Sequence, residues 1–382
     1  MPDKLPLSLQ IHARLQQRIL QGEWAYGAML LSEHELSAEY GVARGTIRLA
    51  LTELEKEGLI RRERGRGTFI AWLPHTEPVS RLDRHTISFI VPYVRDSFVP
   101  TILLGLESVA RANGYVVLFN HSENSSQKQD EALSLSLQQD VAGIVLYPVN
   151  STDALPVLCD IVQRNLPLVS VDRYVRSLAT DYVTCDNFGG GLIATQHLLQ
   201  LGHRRIAFLN WQDPAMTMEH RRAGYRQALL EAGLSLDPAL EWKVEGYPDI
   251  DIPALTGLLQ QFPRPTAVFA ANDQLALAVQ RTARVLKLSI PADLALVGFD
   301  NLDIAAQLDV PLTTIAQPAF DIGKAAGERV IGKISGLFRG VEHTILPVKL
   351  VVRQSCGAAL GAQIQDEGLP VAPFHPNLNQ RR

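Results

Sequence analysis

The sequence predicts two different folds in one chain: a small, mainly helical N-terminal domain that ends in a β-hairpin, and a larger α/β domain of two doubly wound parallel sheets. Two observations carry this prediction. Three helix-like segments precede an Arg-Gly-Arg-Gly turn at 64–67, and from residue 86 onward apolar runs alternate with helix-length segments. We expect boundaries at 1–72 (the smaller domain), 73–85 (a polar linker), 86–357 (the two-lobed domain) and 358–382 (a disordered tail).

The composition, 46% hydrophobic and 20% charged residues, is that of a soluble globular protein. No apolar run is long enough to cross a bilayer, and the N-terminus lacks an apolar signal core, so we expect a cytoplasmic protein without membrane contact. The 3 cysteines are scattered and predict neither disulfides nor a metal site. The net charge of −4 argues against non-specific polyanion binding, but arginines crowd 44–48 and 61–66.

The first helix is expected over about 8–21, where apolar residues share one face. The second begins at Ser32, because a serine followed three residues later by Glu35 forms a capping box. The third runs over about 43–57, and Gly58 suits the position after a helix end. Two short helices around a tight turn form the helix-turn-helix arrangement.

Arginines mark the second helix of that pair and the hairpin. Arg44 and Arg48 lie one turn apart on the third helix, on a face that borders its apolar stripe. For any single arginine, a merely solvated side chain is an equally good interpretation. The succession of helix, turn, helix and basic hairpin favours phosphate contacts and a groove-reading helix.

Residues 6–71 resemble the winged helix-turn-helix domain of GntR-type bacterial regulators, through LSEHELSAEYGVARGTIRLALTELEKEGLIRR and GRGTFIA. The resemblance implies that Arg44, Thr46 and Arg48 contact bases or phosphates in the major groove. It also implies that Gly67 enters the minor groove at the tip of the wing, and that Arg66 and Thr68 contact the DNA backbone beside it. Three positions depart from the family. His34 replaces an arginine, Leu31 replaces a proline, and Ala43 replaces a capping serine or threonine, which costs up to about 1 kcal/mol.

The larger domain shows apolar runs at 87–91, 116–119, 143–147, 167–171, 205–210, 266–270 and 294–300. Such runs between helices predict parallel strands covered on both faces, and ligands of these folds bind at the carboxyl ends of the strands. Polar residues follow several strands: Asp172, Arg173, Asn272, Asp273, Asp300 and Gln317. Carboxylate, guanidinium and carboxamide groups suit a polyhydroxylated ligand, although most strand-end polar residues only cap loops.

Segments such as VSVDR, CDNFGGGLIATQHLLQLGHRRIAFLN, FAANDQLALAV and ALVGFDN resemble the effector domain of LacI/GalR-type repressors and the periplasmic sugar-binding proteins. The resemblance implies hydrogen bonds to a sugar from Arg173, Arg221, Asn272, Asp300 and Gln317, and stacking by Phe98. It also implies three chain crossings between the lobes, near 185–189, 300–316 and 337–348. Because the LacI-type helix-turn-helix and hinge helix are replaced by a GntR-type module, the hybrid resembles arabinose-repressor-type regulators.

The predicted function is a ligand-responsive transcription regulator, a repressor that binds double-stranded operator DNA as a homodimer and responds to a sugar or sugar derivative. Two alternatives stay open: a solute-binding protein, or an enzyme that acts on sugars in an α/β cleft. The sequence has no phosphate loop, dinucleotide fingerprint or nucleophile motif, so we expect no catalysis and no cofactor. Gly189, Gly190 and Gly191 are interpreted as a segment of helix–strand packing at a lobe crossing.

Overall fold

The structure is a computed structural model that describes residues 6–20, 23–24, 27–63, 66–71, 85–149, 156–212, 215–245, 250 and 252–358. The chain divides into two compact units, Met1–Arg81 and Leu82–Arg382. The predicted disordered tail, apart from residue 358, and the predicted linker, apart from residue 85, lie outside the described residues. Within the described ranges no helix is both long enough and apolar enough to cross a membrane.

The N-terminal unit has three helices and a hairpin, as predicted: α1 (Leu7–Leu20), α2 (Glu33–Tyr40), α3 (Arg44–Lys56), β1 (Ile60–Glu63) and β2 (Gly67–Ile70). The two strands pair antiparallel, with Arg62 opposite Thr68. Met29 forms a further bridge to Phe69, so the segment before α2 joins the hairpin edge. This extra strand contact was not predicted.

Local sequence signals fix the helix ends of this unit. Ser32 accepts a hydrogen bond from the backbone of Glu35, whose side chain accepts one from Ser32, so the predicted capping box is present. Gly58 follows α3 with φ 73°, a left-handed conformation that glycine adopts at little cost. Apolar side chains of all three helices and both strands meet in one buried cluster, which includes Leu15, Leu36, Ile47, Leu51 and Ile70. The helix-turn-helix is therefore held by a continuous core.

Ala43 occupies the cap of α3 and makes no side-chain hydrogen bond there, as its chemistry requires. Its backbone is extended, with φ −64° and ψ 146°, which is the conformation of a capping serine. We expect Ala43→Ser to raise the free energy of unfolding of this unit by about 0.5–1 kcal/mol, because serine satisfies an orphan amide of the first turn. Urea denaturation followed by far-UV circular dichroism measures this. Ala28→Ser, at a half-buried position outside the helices, is the control and should not raise the midpoint.

The second unit continues with α4 (Phe98–Ala112), α5 (Ser126–Gln138), α6 (Pro156–Gln163), α7 (Asn187–Gln200), α8 (Met216–Glu231), α9 (Ile252–Leu259), α10 (Asp273–Val285) and α11 (Ala319–Ile334). Its strands are β3 (Thr86–Val91), β4 (Val116–His121), β5 (Gly143–Leu146), β6 (Leu168–Val171), β7 (Asp181–Cys185), β8 (Ile206–Trp211), β9 (Glu241–Val244), β10 (Ala267–Ala270), β11 (Ala295–Asp300), β12 (Thr313–Ala316), β13 (His343–Leu346) and β14 (Lys349–Val351).

These strands form two six-stranded sheets, one in each lobe. The first lobe has the order β13-β7-β6-β5-β3-β4, and all its pairs are parallel. The second has the order β14-β12-β11-β10-β8-β9 and is parallel except at its edge, where β14 runs antiparallel to β12. The predicted two-lobed α/β architecture with doubly wound parallel sheets is confirmed, and the structure adds one antiparallel edge strand to the second sheet.

Helices cover both faces of the first sheet, which is why its strands read as continuous apolar runs. Adjacent residues of β3 show this: Phe89 belongs to the buried cluster that includes residues of α4 and α11, whereas Ile90 belongs to the cluster with α5 and α6. Since α11 packs on the first sheet, the chain crosses between the lobes after β7, after β12 and after β13. The second crossing lies just beyond the predicted range, because β12 ends at Ala316.

Candidate effector site and DNA-binding surface

Helix α3, the second helix of the helix-turn-helix, places its two arginines in different environments. Arg44 is exposed and has no ion-pair partner among the described residues. Arg48 is also exposed but donates from Nε and one terminal nitrogen to the two carboxylate oxygens of Glu33, at 3.2 and 2.8 Å. This guanidinium lowers the pKa of Glu33. Thr46 is half-buried between them. A contact between Arg48 and DNA would therefore require its guanidinium to exchange this carboxylate for a group of the DNA.

The hairpin carries Arg66, Gly67 and Thr68 at the start of its second strand. Arg66 is exposed and pairs with Glu63 at 3.0 Å. Gly67 has φ 124°, and a Cβ there would lie 3.2 Å from the sulfur of Met29. Glycine is thus required at this position by the fold of the hairpin itself, apart from any approach to DNA. Arg64 and Gly65, at the predicted tip, lie outside the described residues.

In the second unit, Arg221 of α8 reaches the strand ends of its lobe and is only 3% exposed. One terminal nitrogen donates to the carbonyl oxygen of Ala271 at 2.7 Å and to Oδ1 of Asp300 at 3.1 Å. Its Nε donates to Oδ1 of Asn187 at 2.8 Å, and the guanidinium lies 3.7 Å from the ring centroid of Phe299. Arg221 is therefore held on three sides.

Gln317 closes this arrangement. Its Nε2 donates to Oδ1 of Asp300 at 2.7 Å, and its Oε1 accepts from the thiol of Cys185 at 3.0 Å. Asn187 donates to the backbone carbonyl of Cys185 at 3.1 Å and accepts from Arg221. Asn187, Arg221, Asp300, Gln317 and Cys185 thus form a closed circuit of hydrogen bonds, here named the crossover ring. It joins the first crossing, at 185–187, to the second, at 316–319.

Glycine makes the ring possible by allowing α7 and α8 to pack closely. A Cβ on Gly191 would lie 2.2 Å from the backbone oxygen of Arg221, and one on Gly224 would lie 2.1 Å from that of Phe188. A Cβ on Gly190 would meet the ring of Phe299 at 2.5 Å. The predicted packing role of the triple glycine fits these distances, and its consequence is the position of Arg221.

Phe98 and Arg173 form a separate group in the first lobe. Phe98, the first residue of α4, lies edge-on to Tyr147 with 6.4 Å between ring centroids. Arg173 lies 5.0 Å from the same ring centroid and donates to the carbonyl oxygen of Val149 at 3.1 Å. Two aromatic rings and a cation thus meet at the strand ends of this lobe, and the burial of Tyr147 raises its pKa.

Asn272 and Asp273 act chiefly as structural groups. Oδ1 of Asn272 accepts from the backbone of Leu275 at 3.0 Å and so caps α10. The carboxylate of Asp273 accepts from Thr314 at 2.6 Å and from the backbone of Leu302 at 2.9 Å. Burial raises the pKa of Asp273 to about 7. The side-chain carbonyl oxygen of Asn272, one of the candidate ligand residues, therefore already accepts a hydrogen bond from the first turn of α10.

Asp300 combines burial with backbone strain. Desolvation raises its pKa well above the ordinary carboxyl value, and the nearby charge of Arg221 opposes this shift. Its φ of 113° is rare for a residue with a side chain and costs on the order of 1–3 kcal/mol. Strain of this kind persists where the surrounding structure imposes it, often at a ligand site. Asp300 is thus held in place by both its neighbours and its backbone.

The sequence did not predict Asn187 or Cys185 as parts of this network. Asn187 is 3% exposed and Cys185 is 2% exposed, so neither reads as a surface ligand group. The signal available was positional, because both lie in the CDNFGGG segment at the predicted first crossing. Cys185 and Cys356 are free and buried, and Cys159 is free and half-buried.

Comparison with known proteins identifies both units. The model for "Bacterial regulatory proteins, gntR family" matches residues 7–70, and that for "Periplasmic binding protein-like domain" matches residues 195–356. The Arabinose metabolism transcriptional repressor of Geobacillus stearothermophilus is 30% identical over 360 residues, which cover 92% of this chain and 98% of the relative. The match spans both domains.

Solved structures agree. A transcriptional regulator CelR–cellobiose complex is 26% identical with a TM-score of 0.64, and the match covers 85% of this chain and 100% of that one. A LacI family transcriptional regulator from Enterococcus faecium, with bound ribose, is 26% identical with a TM-score of 0.61 over 71% of this chain and 98% of that one. The chain is a transcriptional regulator and not an enzyme, and it belongs to the family of repressors that join a gntR-type DNA-binding domain to a periplasmic-binding-protein-like effector domain.

Proposed function

We propose that this regulator responds to a sugar or sugar derivative bound between its two lobes, at the crossover ring and the aromatic group of the first lobe. The observation that carries the proposal is the crossover ring, which gathers a carboxylate, a guanidinium and a carboxamide at the ends of neighbouring strands. Relatives whose structures contain cellobiose or ribose support a carbohydrate as the ligand class.

The chemistry of these groups suits adjacent hydroxyls. A sugar hydroxyl donates one hydrogen bond and accepts others, so a vicinal pair can donate to Asp300 while accepting from Arg221. Phe98 and Tyr147 offer apolar ring surface to the C–H face of a sugar, and Arg173 adds donors beside them. A ligand that lacks one hydroxyl leaves a buried polar group unpaired, which is costly and gives the site its discrimination.

The ring also offers a route from ligand to lobe arrangement. The five side chains of the ring come from the first and second crossings, from β11 and from α8. A ligand that replaces the hydrogen bond between Gln317 and Asp300 therefore acts directly on the second crossing. Only differential affinity for two arrangements can shift their populations. Almost complete switching, from 1:99 to 99:1, needs about 5.5 kcal/mol of such preference.

The remaining parts of the proposal concern DNA and assembly. The regulator acts in the cytoplasm as a homodimer whose two N-terminal domains bind a near-palindromic operator, and the sugar weakens that binding. Arg44, Thr46 and Arg48 contact the major groove. Gly67 enters the minor groove, with Arg66 and Thr68 on the adjacent backbone. Exposure of Arg44 and Arg66 supports these roles.

The direct test is a thermal-shift screen of the full chain against monosaccharides, disaccharides and sugar phosphates. A ligand at 100 times its dissociation constant adds about 2.7 kcal/mol to the stability of the unit that binds it, so a true effector raises its melting temperature by several degrees. Gel-shift titration with and without the sugar that raises it then measures the effect on operator affinity. Silence across the carbohydrate panel, with a shift from nucleosides or another ligand class, would overturn the proposal.

A further inference from the structure

A second cavity, of about 920 Å³, lies beside the crossings and is here named the hinge groove. Its walls come from both lobes. The β6–β7 segment, with Tyr174 and Arg176, and the edge strand β13, with His343, belong to the first lobe, whereas His220 and Ala223 of α8 belong to the second. Its volume lies within the range of about 300–1,000 Å³ that is typical of small-molecule sites.

The hinge groove is distinct from the proposed sugar site. None of the six candidate sugar-contacting side chains lines it. A small cavity of about 30 Å³, room for a single water, adjoins the groove and is lined by Asp172 and by Cys185 and Asn187 of the crossover ring. It shares Tyr174, Phe188 and His220 with the groove. Through this small cavity, the groove is therefore adjacent to Cys185 and Asn187 of the crossover ring.

Three stacked rings form one side of the groove. Tyr174 stacks on Tyr182 with 4.1 Å between centroids and 10° between planes, and Tyr182 stacks on His343 at 4.1 Å and 16°. Tyr174 and His343 are the outer members of the stack, and His343 is exposed. Parallel rings at this spacing leave an aromatic surface that favours another planar ring.

The titratable side chains other than tyrosine that line the groove are all basic. Arg176 and His220 line it, and neither makes a hydrogen bond or ion pair with any described residue. No carboxylate occurs among the described lining residues. Asp186, which lines the small cavity, interacts electrostatically with His220. A guanidinium without a protein partner at the edge of an aromatic cavity favours a carboxylate or sulfonate ligand.

We propose that the hinge groove is a second ligand site, which takes a planar aromatic anion such as an aromatic carboxylate. The ring of the ligand packs against the apolar and aromatic wall, and its anionic group pairs with Arg176. Because the walls come from both lobes, the bound anion favours one lobe arrangement and is coupled to the sugar site, and the coupling is reciprocal. Binding of the anion at this separate cavity is independent of the sugar effector, whereas its coupling rests on the proposed sugar site.

Isothermal titration of the full chain with naphthalene-2-sulfonate tests the site, with neutral naphthalene-2-sulfonamide as the matched probe. We expect the sulfonate to bind at least 10-fold more tightly than the sulfonamide. Arg176→Ala should remove that difference, and Ala223→Trp should abolish binding of both probes by filling the groove from an exposed position of α8.

Two controls separate this site from others. Arg164→Ala removes an exposed arginine of the first lobe, outside the groove, and should leave sulfonate binding unchanged. Asp300→Asn alters the crossover ring without touching the lining of the groove, and it should change sulfonate affinity less than Arg176→Ala does. Unchanged sulfonate affinity in both Arg176→Ala and Ala223→Trp would overturn the proposal. Loss of binding in Asp300→Asn with retention in Ala223→Trp would equally overturn it, since the probe would then occupy the sugar site.

Discussion

The double variant Arg44→Ala/Arg48→Ala is expected to lose sequence-specific DNA binding while keeping its fold and its ligand response. Each well-placed arginine–guanine pair contributes about 1–3 kcal/mol of discrimination, so removing two should weaken specific binding by at least roughly 30-fold. Both side chains are exposed, and neither belongs to the buried cluster of the domain. The loss should therefore appear in DNA affinity without a matching loss of stability.

A duplex selected from a randomised library by the unmodified protein serves as the operator in this measurement. Gel-shift titration at fixed salt compares it with a scrambled duplex, because phosphate contacts alone give salt-dependent, sequence-independent binding. Arg14→Ala, at an exposed position of α1 outside the helix-turn-helix, is the matched control for loss of one cation. If the double variant binds the selected duplex as tightly as the unmodified chain, α3 is not the recognition helix.

The two single substitutions should differ in how much they weaken DNA binding. Arg44 loses nothing within the protein when it engages DNA, whereas Arg48 gives up its paired bonds to Glu33. The net gain from Arg48 on binding is therefore smaller, and Arg44→Ala is expected to be the more damaging single change. This ordering follows from the structure alone, since the sequence places both residues on one face with no sign of the glutamate.

Asp300→Asn is expected to weaken binding of the effector found in the carbohydrate screen by roughly 10- to 100-fold. The asparagine keeps the shape of Asp300 but replaces one accepting oxygen with a donating NH2 group, and a buried donor that loses its acceptor costs about 1–3 kcal/mol. The backbone φ of 113° also favours asparagine over most other replacements, because asparagine tolerates positive φ. Titration calorimetry with the identified sugar measures the affinity.

Asp309→Asn removes an exposed carboxylate of the same lobe and should leave sugar affinity unchanged. Asn187→Ala is the informative companion, because Asn187 holds the Nε of Arg221 without being among the proposed sugar contacts. It should weaken sugar binding less than Asp300→Asn while reducing the sugar's effect on operator affinity. Full sugar affinity in Asp300→Asn would place the ligand elsewhere.

Much of this architecture was accessible from the sequence because its signals are local. Ser32 with Glu35, and Gly58 after α3, fix helix ends through short-range hydrogen bonds and a left-handed backbone. The crossover ring was not accessible, since its members are spread over 185–317 and are joined only by the fold. The helix-capping role of Asn272 was not accessible for a related reason, and its contact with a ligand stays a prediction. A strand-end asparagine serves a ligand or its own helix equally well, and only the backbone geometry shows that it caps α10.

The crossover ring has a further consequence for how such a regulator diverges. Because Gln317 and Asn187 belong to the crossings themselves, the proposed sugar site implies that a substitution at the ring changes both ligand preference and the resting balance between lobe arrangements. New specificity is therefore acquired together with a new basal level of repression. Compensation has to come from residues outside the ring, so paralogues with different inducers should differ at the lobe surfaces as well as in the pocket.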